Sequence, residues 1–264
     1  MEEKDIEKLA GLLVLAVEKN LEKKTAIAFS GGLDSATMAT IAKGKCELAL
    51  ITVSMEDGED LAAARKVSQE LGLKLHEVIV DRQMLMRDYK HMWELMPGTL
   101  VDVELMCAIY EVCKKAKSLG FENILFGSGA EELFVGYHKY YSALEEGKDL
   151  DLLLQQEIKT LPQRDIKRAG VVAKFCEVKI RVPFMDDALI DAVFSFPASV
   201  RIGSIEMKKP ILREMAKKLN VPKLAVERQK KAMQYGSNVH KTFLDMIRKK
   251  EIESWEPREP FKYD

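Results

Sequence analysis

The first half of the chain alternates short apolar runs with longer segments in which apolar residues recur every three to four positions. The runs at 25–29, 46–53, 75–80 and 123–126 have the length of strands buried on both faces. Between and before them, helical spacing predicts helices over 5–21, 33–42, 60–71, 84–94 and 103–119. Strands separated by helices predict a parallel sheet covered on both sides. The sheet is expected to end at 126, because from Glu131 onward the spacing is helical almost throughout, over 150–160, 164–175, 187–195, 210–219 and 239–252. Pro162, Pro183, Pro197, Pro210 and Pro222 fall at or near the joints, where proline costs least.

Composition changes this picture little. The chain has 264 residues, 47% hydrophobic and 31% charged, enough for one large α/β domain with a buried core. The apolar stretch 12–17 is too short to span a bilayer and is preceded by acids, so no membrane association is expected. Cys46, Cys107, Cys113 and Cys176 form no Cys-x-x-Cys pair and read as reduced thiols of a cytoplasmic protein. Charge is uneven. Residues 201–250 hold 14 Lys and Arg against 4 Asp and Glu, although the whole chain is at −1. Few aromatics are interleaved with that basic segment, which weighs against a nucleic-acid surface and leaves a solvated face or a supply of cations to phosphates.

The chemistry concentrates after the first strand, at Ser30, Gly31, Gly32, Leu33, Asp34 and Ser35. Two glycines let a backbone turn sharply, and the amides opening the next helix then point at an anion with the positive end of the helix dipole. Ser30 and Ser35 can add hydroxyl donors, and Asp34 is suited to a magnesium ion. The competing reading is a strand-to-helix turn that uses glycine for geometry alone. A second stretch, Gly127, Ser128, Gly129, Ala130, Glu131 and Glu132, follows the last predicted strand, where open α/β sheets place their ligand crevice. One of its carboxylates can join Asp34 on a metal, or both can simply favour a helix start.

The Ser-Gly-Gly-x-Asp-Ser loop resembles that of the PP-loop ATP pyrophosphatase superfamily. The stretch from Ser128 to Tyr137, together with Arg181, Val182, Pro183, Phe184, Met185 and Asp186 and with Arg228, Gln229 and Lys230, resembles blocks of the synthetase domain of asparagine synthetases. The resemblance implies an α/β fold with a parallel-sheet, adenine-nucleotide α-hydrolase-like core and a helical C-terminal extension. It divides the chain into a nucleotide-binding core over 1–137 and an extension over 138–264, together one synthetase domain. It further implies ATP bound by residues 30 to 35 with adenine near Val53 and Gly127, Mg2+ on Asp34 and Glu131, and Lys230 as the catalytic cation beside Asp34. The implied reaction is AMP-forming: a carboxylic acid is adenylated, an amine displaces AMP, and pyrophosphate is released.

Several positions depart from the family. Ser128 stands where asparagine-forming members carry Glu, and serine is a poor general base. Lys179 stands where an acid is usual, and Glu131 replaces Asp. Glu104 falls near an Arg position of aspartate-using members, so that it either changes substrate preference or merely faces solvent. The chain begins Met1-Glu2, without the nucleophilic cysteine of a glutaminase domain. Free ammonia, another amine in its place, or a separate glutaminase subunit is therefore expected to serve. The alternatives are an adenine-nucleotide-binding protein that has lost amide synthesis and a PP-loop tRNA-modifying enzyme, the latter disfavoured by the missing cysteine pair. A homo-oligomer is compatible with all of these readings.

Overall fold

The computed structural model describes residues 1–229 and 238–252. In order, the elements are α1 (Glu3–Lys19), β1 (Lys24–Ala28), α2 (Leu33–Ala42), β2 (Glu47–Ser54), α3 (Glu59–Leu71), β3 (Leu75–Ile79), α4 (Arg82–Leu95), α5 (Leu100–Ser118) and β4 (Asn123–Leu125). There follow α6 (Ala130–Leu133), α7 (His138–Glu145), α8 (Leu150–Thr160), α9 (Asp165–Phe175), β5 (Lys179–Arg181), α10 (Asp187–Phe194), α11 (Ala198–Arg201), α12 (Pro210–Lys218) and α13 (Lys223–Glu227). The last described helix is α14 (Val239–Arg248). None of the described helices is long and apolar enough to cross a membrane.

The strands form one parallel sheet in the order β3-β2-β1-β4-β5. The expected end of the sheet at 126 is thus corrected, since β5 adds a fifth strand in register with β4, pairing Lys179 with Asn123 and Arg181 with Leu125. With three residues, two of them charged and exposed, β5 carries no apolar run, as suits an edge strand.

Alternation along the central strands divides the core in two. Ile27, Leu50 and Leu125 point into one layer with α1, α2, α3, α10 and α12, and Ala26, Ala49, Ile51 and Ile124 point into the other with α4, α5, α9 and α14. Each fully buried branched side chain of this kind contributes about 1.5–3 kcal/mol. Helix ends are fixed locally. Thr99 and Asp102 form a reciprocal capping box on α5, Asp81 caps α4 and Asp149 caps α8. α2 differs, because its N-cap is Gly32 and no side chain caps its first turn.

Candidate active site

β1 and β4 are neighbours whose outgoing connections run in opposite lateral directions, to β2 and to β5, which opens a crevice at the carboxyl ends of the strands. Two loops flank that crevice, 29–32 after β1 and 126–129 after β4. Each is anchored by a ladder bond, Phe29 N donating to Ile51 O at 2.7 Å and Phe126 N to Arg181 O at 2.9 Å. Gly127 sits directly against the first turn of α2, where an added methyl would lie 3.4 Å from Asp34 Cβ.

The first loop is set by its glycine and its serines. Gly31 has φ +66°, and a Cβ there would fall 2.6 Å from Ala64 N and 2.7 Å from Ala63 C, both backbone atoms of α3. This glycine therefore seats the loop on a helix. Ser35 is buried and braces the turn from inside: its Oγ accepts from Ser30 N at 3.3 Å, donates to Gly32 O at 3.2 Å and lies 3.3 Å from Ser30 Oγ. With no side-chain cap on α2, the loop and the opening of that helix form a candidate anion cradle next to Asp34.

Asp34 meets the second loop through a residue that sequence reasoning missed. Lys209 Nζ lies 2.8 Å from both carboxylate oxygens of Asp34 and 2.8 Å from Glu131 Oε1. Lys209 is buried, adopts a left-handed backbone conformation (φ 58°) and immediately precedes Pro210, the first residue of α12. A non-glycine residue in this region is strained, and such strain clusters at functional sites. Burial acts to lower the Lys209 pKa, but the two carboxylates outweigh it and the net shift is upward. The ammonium stays charged.

The adjacent acids of the second loop have separate environments. Glu131 faces Asp34 and Lys209, and Gly136 makes room for it: a Cβ at that position would collide with Glu131 Oε2 and Lys209 Cε. Glu132 is buried beside Tyr137 and Tyr140, and burial pushes its carboxyl up to about 7, against its own backbone hydrogen bond and with Glu131 adding to the rise.

Arg213 and Arg228 complete the frame. The Arg213 guanidinium donates to the carbonyl oxygens of Lys208 at 2.6 Å, of Val226 and of Arg228 at 3.2 Å. It thereby ties the turn carrying Lys209 to the end of α13. Arg228 donates to Asp60 Oδ1 at 2.7 Å and to Ser30 O at 3.3 Å, joining the same segment to α3 and to the first loop. Asp60 is almost fully buried, so this pair is shielded from solvent.

Asp34, Glu131 and Lys209 line a cavity of about 760 Å³, walled further by Tyr137, Lys139, Ile205, Lys208, Arg213 and Arg228. The sequence-predicted residues fall around it as follows. Ser30, Gly31, Gly32, Leu33, Asp34 and Ser35 form the cradle, Val53 is half-buried near the carboxyl end of β2, and Gly127 and Ser128 are half-buried in the loop after β4. Lys230 lies outside the described residues, immediately beyond Arg228 and Gln229. Asp34 and Glu131 could hold a divalent cation, since their carboxylates converge on one positively charged group. Among the described residues no three His, Cys, Asp or Glu side chains converge as a metal site. A cation here would thus draw its remaining ligands from phosphate and water, as magnesium commonly does.

Three other positions singled out from the sequence lie elsewhere. Glu104 neither lines this cavity nor faces solvent: it is buried on α5, with His240 Nδ1 of α14 2.9 Å from both its carboxylate oxygens. Arg181 reaches Asn123 Oδ1 at 3.4 Å and Glu22 Oε1 at 3.5 Å, while Asp186 caps α10 and pairs with Lys19 at 2.9 Å. Lys179 opens β5, with Glu22 3.7 Å away, at the end of the sheet opposite the crevice.

A parallel sheet with a Ser-Gly-Gly-x-Asp-Ser loop at its switch point and paired acids across the crevice defines an α/β protein with a candidate ligand site at the carboxyl ends of its strands. The family model described as asparagine synthase matches residues 8–164 and 142–259, and the chain belongs to that family. A glutamine-hydrolysing asparagine synthetase of Gallus gallus is 29% identical over 88% of this chain and 44% of its own length. The glutamine-hydrolysing asparagine synthetase B of Escherichia coli K12 is 25% identical over 84% of this chain and 42% of its own. The chain spans about half the length of the curated relatives it matches. Among solved structures, an NMN synthetase from Francisella tularensis superposes with a TM-score of 0.47 and 14% identity, over 88% of this chain and 76% of that one.

Proposed function

We propose that the chain is an ATP-dependent, AMP-forming carbon–nitrogen ligase that adenylates a small carboxylic acid, aspartate or a related one, and transfers the acyl group to ammonia or another amine. The observation that carries this reading is the convergence of Asp34, Glu131 and Lys209 beside the anion cradle of residues 30 to 35. Membership of the asparagine synthase family supports the same reaction class.

The cradle binds the outer phosphates of ATP, and adenine lies along the loop by Val53 and Gly127. The substrate carboxylate enters from the cavity and attacks the α-phosphorus, and pyrophosphate departs into the amides at the start of α2. Lys209, held charged by its two carboxylates, neutralises the acid as it approaches the phosphate or the charge that develops on it, the kind of fixed-cation stabilisation that works best away from water. Lys230, two residues beyond Arg228, serves the leaving group. Asp34 and Glu131 would hold magnesium, which supplies charge neutralisation on the phosphates. In the second half-reaction the amine attacks the acyl carbon and AMP leaves. With Ser128 in the loop there is no carboxylate at that position to take the amine's proton, so a basic free amine or a glutaminase partner feeding ammonia suits the site. In this reading residues 1–137 bind the nucleotide, and residues 138–264 supply Lys209, Arg213 and Arg228.

The test is incubation of purified protein with ATP, magnesium, ammonium and a panel of small acids, counting AMP and pyrophosphate. Acid-dependent release of both is expected, and Asp34→Asn should abolish it while leaving the fold intact. Release of ADP and phosphate, or turnover unchanged in the Asp34 variant, refutes the reading. Nucleotide binding with no pyrophosphate release from any acid favours a protein that retains the cradle but has lost amide synthesis, the outcome that Ser128 motivates.

A further inference from the structure

Arg201 closes α11 and is fully buried, a rare place for a guanidinium. It donates to Asp151 Oδ1 of α8 at 2.8 Å and to Leu133 O, at the end of α6, at 3.3 Å. The guanidinium carbon lies 4.3 Å from the centre of the Phe194 ring, and Nε has no partner among the described residues. Stability alone gives little reason for such a residue, because apolar side chains of similar volume often replace a buried ion pair without loss. Asp151 would not be stranded by the change: its carboxylate is partly exposed and also accepts from Ala198 N at 2.8 and 3.0 Å. What an apolar residue cannot supply is the hydrogen bond to Leu133 O, one of the carbonyls that a helix end leaves without an internal partner.

That carbonyl belongs to the helix that carries Glu131. α6 has four residues, and beyond its end the chain turns through Val135, φ 57°, until Gly136 N donates to Glu131 O at 2.7 Å. Arg201 also opens the segment that ends at Lys209, and this segment is folded on itself. Met207 N donates to Ser204 O at 3.1 Å and to Ser204 Oγ at 3.0 Å, Tyr141 OH donates to Ser204 O at 3.2 Å, and a Cβ at Gly203 would collide with Met207 O. The two ends of one tight loop thus grip the same short helix. Arg201 holds the backbone of Leu133, and Lys209 holds the carboxylate of Glu131, with Nζ 2.8 Å from Oε1.

We propose that Arg201 is a positioning residue for the site: by fastening the end of α6 to the start of this loop, it sets where Glu131 stands relative to Lys209. Arg201 does not itself line the cavity, so it acts only through those two residues. The effect on rate rests on the ligase reading given above, whereas the geometric claim stands apart from it. A charged centre tolerates little error, since misplacement by about 1 Å can cost about 100-fold in rate. The guanidinium is needed for its fork, which meets Asp151 and Leu133 O together. An ammonium on a shorter stem keeps the charge and lacks the fork.

The test compares the wild type with Arg201→Met and Arg201→Lys by thermal melting, steady-state kinetics and crystal structures. Both variants should stay folded. The kcat for acid-dependent pyrophosphate release should fall by about 10- to 100-fold while the KM for ATP stays within about threefold, because the loop of residues 30 to 35 is untouched. In the Arg201→Met crystal the end of α6 should shift, and the contact between Glu131 and Lys209 should open beyond about 3.5 Å, past direct hydrogen-bond reach. A wild-type kcat in either folded variant, a KM for ATP that worsens as much as kcat, or a contact still at 2.8 Å overturns the proposal. If the wild type releases pyrophosphate with no acid, the ligase reading fails, and the crystal structures still decide the role of Arg201. Should Arg201→Met not fold, Arg201→Lys carries the same measurements.

Discussion

Lys209 and Asp34 are 175 residues apart in sequence, yet the lysine ammonium lies 2.8 Å from both oxygens of the aspartate carboxylate. The contact joins the loop that opens α2 to the turn that opens α12, so the cradle and the cavity beside it share one charged centre. Lys209→Met should remove the cation and leave two facing acids with no compensation. Acid-dependent pyrophosphate release is expected to fall by at least about 100-fold, in the range found when a fixed charge-stabilising donor is removed. A rate within about threefold of the wild type would show that Lys209 is only structural.

Arg213 places that lysine without touching Asp34. Its three carbonyl contacts need the fork of a guanidinium, which an ammonium cannot reproduce. Arg213→Lys should therefore keep the charge and lose the geometry. The expected result is a kcat loss of about 10- to 100-fold, as misplacement by about 1 Å can produce, with a smaller effect on the Michaelis constant for ATP. Steady-state kinetics at saturating acid separate the two.

Gly31 and Gly44 offer a matched comparison of left-handed glycines. Both have positive φ, but a methyl at Gly31 would strike the backbone of Ala63 and Ala64, while at Gly44 nothing lies within 4 Å. Gly44→Ala should cost about 1 kcal/mol, the strain of a left-handed alanine. Gly31→Ala should cost at least about 2 kcal/mol, because strain and clash combine, and should weaken nucleotide binding as well. Urea denaturation and a nucleotide titration of the two variants check this.

Asp88 gives the protein a pH-dependent stability. It is fully buried on α4, and burial raises its carboxyl to about 7, the neighbouring Glu111 adding to the rise and Arg87, 3.0 Å away, opposing it. The folded state therefore retains a proton that the unfolded chain releases near 3.8. Stability from this group is complete below the unfolded value and is lost as pH climbs toward 7, by up to about 1.4 kcal/mol per pH unit. Relative to Asp88→Asn, the wild type should lose melting temperature between pH 5 and pH 8. Parallel curves for the two proteins over that window would exclude the effect.

The sequence by itself determined the elements whose cause is local. Apolar runs marked the first four strands, helical spacing marked the long helices, and paired glycines marked the turn between β1 and α2, because strand burial, helix periodicity and glycine turns are all encoded by near neighbours. β5 escaped notice, since three residues at a sheet edge need no apolar pattern. So did Lys209, which reads as one more lysine in a basic stretch until folding sets it between Asp34 and Glu131. Glu104 ended against His240 through the packing of α5 with α14. Which partner a buried charge meets depends on contacts between distant segments, and these exist only once the layers have closed around the sheet.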